Sequence, residues 1–309
     1  MLSKVAATGV NLDSVYAETL QRIREQKGDR SKLGMKVLMW ASHAERPLRI
    51  DELCYALAVQ MEKTDLDPEN IRPKDVVLGS CLGLAVVDEE TSTIRPIHYT
   101  LQEYLSDSLI LPGAHEAIGE TCLAYLNYER IRGLLANRVP NPRDSPFLEY
   151  SSLYWGSHAR RGLSGRGKSL TLELLILYGD HVSATLLFNQ MQSYDSPPVT
   201  NHLFTGLHCA SYFGIVEIVA ALIRMESFDV NQIDCKGFTP LMWAARRGNE
   251  EVVRLLLTRD DISPDIPDIY GQTPFWRASL EGHEGVVKIL LERTDVDPDR
   301  PEEYGQTAL

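Results

Sequence analysis

GFTPLMWAARRGNEEVVRLLL, starting at Gly237, and GQTPFWRASLEGHEGVVKILL, starting at Gly271, are two versions of one pattern set 34 residues apart. GQTAL reopens the pattern at Gly305, another 34 residues on. Going backward, Thr205, Leu207, Ala210 and Gly214 stand 34 residues before Thr239, Leu241, Ala244 and Gly248. A fixed period of this length belongs to a stack of small units, and that constrains the fold more than any composition does. Each unit opens on Thr-Pro (239–240, 273–274), a capping hydroxyl followed by proline at the first helical position. Gly248 and Gly282 then break the chain before a second apolar helix, expected over 251–258 and 285–293. Ala244, Ala245, Ala278 and Ser279 keep the first helix slim enough for close packing. So short a helix pair cannot bury its apolar face alone, and the units must stack.

The pattern resembles the ankyrin repeat, G-x-T-P-L-H-x-A-A-x-x-G-[HN], over residues 201–309: about three units and a truncated fourth. It departs from that family in two ways. The histidine of T-P-L-H stands only at His208, with Met242 and Trp276 in its later places, which puts the family's inter-loop hydrogen bonds in question. The second helices end in RDDISPD and RTDVDPD without a glycine, and one extra residue lengthens the usual ~33-residue period. The sequence stops inside the motif of the fourth unit. An uncapped end is therefore expected, incompletely covered at Val287, Ile289 and Leu290 and open to self-association.

Upstream, LDSVYAETLQRIREQK places Leu12, Val15, Tyr16, Leu20 and Ile23 on one helical face. Two helices split at Arg46-Pro47 follow, the second capped by Asp51. A third helix over 73–82 leads to a hairpin of Leu84–Val87 and Ile94–His98 around an acidic tip. Three helices and a hairpin make the order of a winged helix. ASHAERPLRIDEL (Ala41–Leu53) and IHYTLQEYL (Ile97–Leu105) resemble motifs of fungal NACHT–ankyrin proteins, which are NOD-like and of the STAND class. Their winged helix is of the GPI inositol-deacylase type, a name that implies no deacylase activity. The resemblance implies a mainly α fold in four parts: residues 1–30 as a helix following an absent NACHT NTPase, 31–110 as the winged helix, 111–200 as a helical connector, and 201–309 as an ankyrin α-solenoid. It further implies a non-enzymatic interaction or scaffold protein resembling the sensor end of fungal NOD-like signalling proteins. A protein partner would lie on the concave ankyrin face.

One motif argues for different chemistry. GLSGRGKS (Gly162–Ser169) matches the P-loop pattern, in which Lys168 would reach phosphates and Ser169 would hold magnesium. A working P-loop follows a buried strand, whereas the preceding FLEYSSLYWGSHARR has helical apolar spacing. The expectation is a solvated helix-to-helix loop, with Ser169 capping the next helix. A winged helix could bind nucleic acid, but Lys74 faces Asp75 on the third helix and the wing tip is Asp88-Glu89-Glu90. The net charge of −12 also disfavours phosphate backbones, only 131–200 being slightly basic. A nucleic-acid-binding or P-loop nucleotide-binding regulator remains the alternative reading.

No catalytic set, metal site or cofactor is expected. The eight histidines show no metal-ligand spacing, and Trp155 and His158 read as a buried pair, the histidine hydrogen-bonded. The five scattered cysteines suit free buried thiols in a reducing compartment. With no apolar run of membrane-spanning length and no secretory h-region, the cytoplasm is the expected location, the nucleus being its alternative. The candidate partner-binding residues follow from the ankyrin resemblance. They are Cys235, Lys236, Phe238, Ile269, Tyr270 and Gln272 at the hairpin tips, with Tyr212, Phe213, Arg246, Arg247, Leu280 and Glu281 at the ends of the first helices.

Overall fold

A computed structural model describes residues 12–107, 109–134, 141, 143–191 and 203–308. The first eleven residues of the 1–30 segment and the 192–202 boundary of the connector lie outside the described residues. The amphipathic first helix, α1 (Leu12–Arg24), buries Tyr16, Leu20 and Ile23 as its spacing requires. It packs on α2 (Arg30–His43), which meets α3 (Ile50–Ala58) and α4 (Lys74–Gly79). Strands β1 (Ala85–Val87) and β2 (Ile94–Pro96) form an antiparallel hairpin with Val86 opposite Arg95, and α5 (Tyr99–Leu105) closes the winged helix. The Leu48 carbonyl accepts from the Ile94 amide, tying the loop before α3 to the hairpin.

Two short motifs explain much of this module. Arg46 clamps the fully buried Glu52 with its two terminal guanidinium nitrogens at 2.8 Å, and the Glu52 carboxylate also accepts the Arg49 amide at 2.7 Å. A buried carboxylate so paired and hydrogen-bonded is satisfied, which removes the penalty of its burial. Glu52, not the expected Asp51, therefore caps α3, because Asp51 already lies within its first turn. In IHYTLQEYL, His98 Nδ1 accepts the Thr100 amide to cap α5, while the Tyr16 hydroxyl and Thr100 Oγ1 meet at 2.8 Å.

The connector consists of α6 (Ala114–Leu126), α7 (Glu129–Arg132), α8 (Leu148–Arg161), α9 (Gly165–Ile176) and α10 (Val182–Gln190). Helices α6 and α8 form its core, where Trp155, Tyr150 and Phe147 are fully buried. The expected loop at 162–169 is shorter than the sequence suggested. Ser164 caps α9 by accepting the Gly167 amide at 3.0 Å, so Lys168 and Ser169 lie within the helix. Glycine at 165 and 167 is a poor helix former, but the Ser164 cap and the burial of Gly167 outweigh that propensity.

The solenoid is built of helix pairs: α11 (Gly206–Phe213) with α12 (Val216–Leu222), α13 (Pro240–Arg246) with α14 (Glu250–Leu256), and α15 (Pro274–Leu280) with α16 (Glu284–Leu291). Thr239 and Thr273 cap α13 and α15, accepting the Met242 and Trp276 amides. The pairs dock directly on the connector, since a Cβ at Gly156 would overlap the Phe213 ring. At the far end Ile289 and Leu290 are buried from within and Val287 is half-buried, and the exposed apolar groups there include Leu280, Leu291 and Tyr304 instead. Among the described residues the only named strands are β1 and β2.

Candidate interaction surface

A repeated turn aims the hairpin tips. The Asp234 carboxylate accepts the Lys236 amide at 2.8 Å, the Phe238 amide at 3.0 Å and the Trp243 indole N–H at 2.9 Å. Burial raises its pKa, and the two loop amides and the indole oppose that rise. One unit later, Asp268 accepts the Tyr270 and Gln272 amides at 2.9 Å each and ion-pairs with Arg277. Glu302 repeats the turn on Tyr304 and Gln306. The tips then join edge to edge: the Ile269 amide donates to the Lys236 carbonyl, and the Glu303 amide to the Tyr270 carbonyl. The sequence reading passed over these acids. Their signal is an acidic residue three places before each glycine at 237, 271 and 305.

His208 works differently from its replacements. Its Nδ1 accepts the Thr205 amide while Nε2–H points at the carbonyls of Gln232 and Phe238, 2.9 and 3.1 Å away. The first tip thus has both His208 and the Asp234 turn, whereas the later tips, facing Met242 and Trp276, keep the turns of Asp268 and Glu302.

On this frame the candidate residues separate by exposure. Ile269, Tyr270 and Leu280 are 57%, 45% and 60% exposed, and Cys235, Arg247 and Glu281 are also open to solvent. Tyr212, Lys236, Arg246 and Gln272 are half-buried. Phe213 and Phe238 are buried, and this corrects their expected place on the binding face. Phe213 packs on Trp155 of the connector at 5.3 Å between centroids, and Phe238 packs on Trp243 at 4.9 Å. The ankyrin resemblance places both at tip and helix-end positions, but position alone does not tell an exposed ring from an anchoring one.

Cations lie over the aromatic rings. The Arg247 guanidinium sits 4.8 Å from the Tyr212 centroid and Arg277 sits 4.7 Å from that of Phe238. Arg246 lies 5.5 Å from Trp243 and 3.6 Å from a Glu281 oxygen. Burial, with Arg277 alongside, draws the Arg246 pKa below its ordinary value. Such stacking holds arginine side chains extended, so less freedom is lost on contact. An open cleft of about 690 Å³ between the connector and the first pair continues this face, with Tyr154, Arg160, Met191, Tyr212 and Arg247 among its lining.

The P-loop geometry is not formed. Gly162 follows a helix rather than a strand, and Lys168 ion-pairs with Glu217 of α12. Lys74 and Asp75 are both exposed at the start of α4, and Arg95 pairs with Asp88 at the wing. Cys54, Cys81, Cys122 and Cys209 are buried thiols, whereas Cys235 is exposed on its tip. His158 is buried and hydrogen-bonded, as expected: Tyr150 Oη is 2.9 Å from Nε2, and His115 Nδ1 is 2.9 Å from its Nδ1. Burial, with His115 and Arg161 nearby, pushes its pKa down to about 3.

The chain is thus a winged-helix protein with an ankyrin solenoid. Residues 21–112 match the winged helix domain of the GPI inositol-deacylase type. Residues 170–268 match ankyrin repeats in three copies, and 270–301 match a further ankyrin repeat. The ankyrin match begins at 170, earlier than the expected 201, and so takes in α10 and most of α9. The chain is similar to the vegetative incompatibility protein HET-E-1 of Podospora anserina, 23% identical over 189 residues. That match covers 52% of this chain and spans 13% of the relative's length. Among the described residues no helix is long and apolar enough to cross a membrane.

Proposed function

We propose that the chain is a non-catalytic recognition protein that holds a protein partner on the concave face of its ankyrin solenoid. The observation that carries this reading is the exposure of Ile269, Tyr270 and Leu280 on repeats that also carry arginines already stacked on aromatic rings. Exposed apolar side chains flanked by ordered arginines make a surface of the kind enriched in binding hot spots. The complementary partner presents apolar side chains for Ile269, Tyr270 and Leu280 and a carboxylate for Arg247. The likeness to a vegetative incompatibility protein supports a role in a signalling assembly, with the winged helix and connector as the rigid base of the arm.

The test is a quantitative binding comparison. A partner selected from a peptide-display library is titrated against the wild type, Tyr270→Ala, Leu280→Ala, Arg247→Ala and the convex-face control Glu251→Ala. We expect each concave variant to weaken binding about 10-fold or more, equivalent to about 1.4 kcal/mol, while the control stays unchanged. A partner indifferent to all three concave changes binds elsewhere and defeats the reading.

A further inference from the structure

Glu45, His115 and His158 are far apart in sequence but converge where the winged helix meets the connector, their ligand-capable atoms all within 4.8 Å of one another. Glu45 follows the end of α2, His115 lies in the first turn of α6, and His158 lies near the end of α8. The two imidazoles face each other through Nδ1 atoms 2.9 Å apart, and a pair of neutral rings shares one proton at that contact. We propose that these three residues form a zinc-type divalent-cation site joining the winged helix to the connector, with water at the fourth position.

Three features favour this reading over a plain histidine pair. The donor set suits the ion, because imidazole nitrogen with carboxylate oxygen is an ordinary zinc combination. The imidazole spacing also suits it: tetrahedral bonds of about 2.0–2.1 Å set ligand nitrogens about 3.3 Å apart, so the imidazoles need part by only a few tenths of an ångström, and the Glu45 carboxylate, within 4.8 Å of them, closes on the ion by side-chain rotation. An outer partner is already in place as well. Tyr150 Oη accepts the Glu45 amide at 3.0 Å and lies 2.9 Å from His158 Nε2. An Nε2–H donated to that oxygen leaves the His158 Nδ1 lone pair facing the site.

The protons balance. In this tautomer the contact proton sits on His115 Nδ1. It is transferred through solvent to the Nε2 of the half-buried His115 ring, which frees both Nδ1 lone pairs without net release. The main opposing group is Arg161, which ion-pairs with Glu45 through Oε1. A carboxylate has two oxygens and can serve a guanidinium and a metal together. His43 forms the neighbouring wall, its ring centroid 5.4 Å from that of His115.

The experiment uses the full chain, stripped with chelator and titrated calorimetrically with Zn²⁺, and with Co²⁺ as an absorbing probe. We expect one equivalent of Zn²⁺ to bind, with tetrahedral-type visible bands for Co²⁺ and a higher unfolding temperature. His115→Ala, whose half-buried ring can be removed without opening the core, should weaken Zn²⁺ binding by at least about 100-fold, beyond the 10–100-fold typical of outer partners. Tyr150→Phe keeps the ring and should fall within that 10–100-fold range. Circular dichroism establishes that each variant is folded. The proposal is overturned if binding is not saturable at one equivalent, or if a folded His115→Ala binds Zn²⁺ as tightly as the wild type. Either outcome would leave a hydrogen-bonded histidine pair, or an ion held elsewhere such as at Cys235.

Discussion

Asn249 donates its side-chain amide to the carbonyls of Ser211 and Tyr212 in the preceding unit, at 2.8 and 3.0 Å, and His283, one period later, donates Nε2–H to the Arg246 carbonyl at 3.0 Å. Each unit thereby closes the open C-terminal end of its neighbour's first helix. The second helices are closed similarly. Arg259 reaches the Ile223 carbonyl and Arg293 that of Leu257, both at 3.3 Å, each arginine held by the aspartate two residues on. The aspartates in RDDISPD and RTDVDPD thus position the arginines at the ends that lack a glycine cap.

This relation predicts a measurable coupling. Asn249→Ala leaves two carbonyls without its amide and should cost about 1–3 kcal/mol in urea unfolding. Gly214→Ala should cost at least as much: its φ of +74° suits glycine, and a Cβ there would lie 2.6 Å from Asn249 Oδ1. Because one part of that cost is the displaced asparagine, the double variant should lose less than the sum of the two single losses. Strict additivity would show that glycine answers only to its backbone angle.

The acidic turns give the second prediction. Asp234→Ala strips the acceptor from two buried donors, the Phe238 amide and the Trp243 indole N–H, and should cost about 2–4 kcal/mol. Asp234→Asn keeps an acceptor for the loop amides but turns an N–H₂ toward the indole, so its loss should fall between alanine and wild type. Chemical denaturation followed by tryptophan fluorescence reads both. An unchanged midpoint for Asp234→Ala would mean that water replaces the carboxylate at the tip.

Periodicity made the solenoid legible because stacked units repeat their buried positions, and Thr239, Pro240 and Gly248 mark helix boundaries by local physics alone. The winged helix was legible from its motifs, although the sequence did not tell that Arg46 and Glu52 form a buried clamp or that Glu52 displaces Asp51 as cap. What sequence could not separate was orientation. Phe213 and Phe238 belong to residue types common at interfaces, and only the approach of Trp155 and Trp243 turns them inward. The cluster of Glu45, His115 and His158 had no local signal at all, since its members come from three elements separated by tens of residues.

The P-loop likeness supplies a third prediction. Ser164 caps α9, whereas Lys168 makes one exposed ion pair with Glu217. Ser164→Ala should therefore cost about 1 kcal/mol, and Lys168→Ala less than about 1 kcal/mol. Titration with a fluorescent adenine or guanine nucleotide should give no saturable binding in the wild type or in either variant. Binding abolished by Lys168→Ala would restore a phosphate role to the loop.

The last prediction concerns acid stability and rests on His181. Its Nε2–H donates to the Leu126 carbonyl at 3.1 Å, and its Nδ1 accepts the Ser183 amide at 3.1 Å to cap α10. Burial lowers its pKa to about 4 from the ordinary 6.5, so the folded ring stays neutral where the unfolded chain takes up a proton. The sign follows from which state holds more protons. Above pH 6.5 neither state binds one here, and the contribution to stability is whole. From pH 6.5 down to about 4 the unfolded chain binds more, and stability falls by about 3 kcal/mol; below about 4 there is no further loss. Asparagine at 181 keeps an acceptor for the Ser183 amide but loses the bond to Leu126 and cannot titrate. We expect His181→Asn to be about 1–2 kcal/mol less stable at pH 7.5, to draw level with the wild type as the pH falls toward about 5, and to be the more stable of the two by pH 4.5, where the wild type has lost about 2.5 kcal/mol. His158 titrates in both proteins, so the difference between their urea-unfolding free energies isolates His181. Free-energy curves that stay parallel from pH 7.5 to 4.5 would show that His181 enters the folded state already free to take its proton.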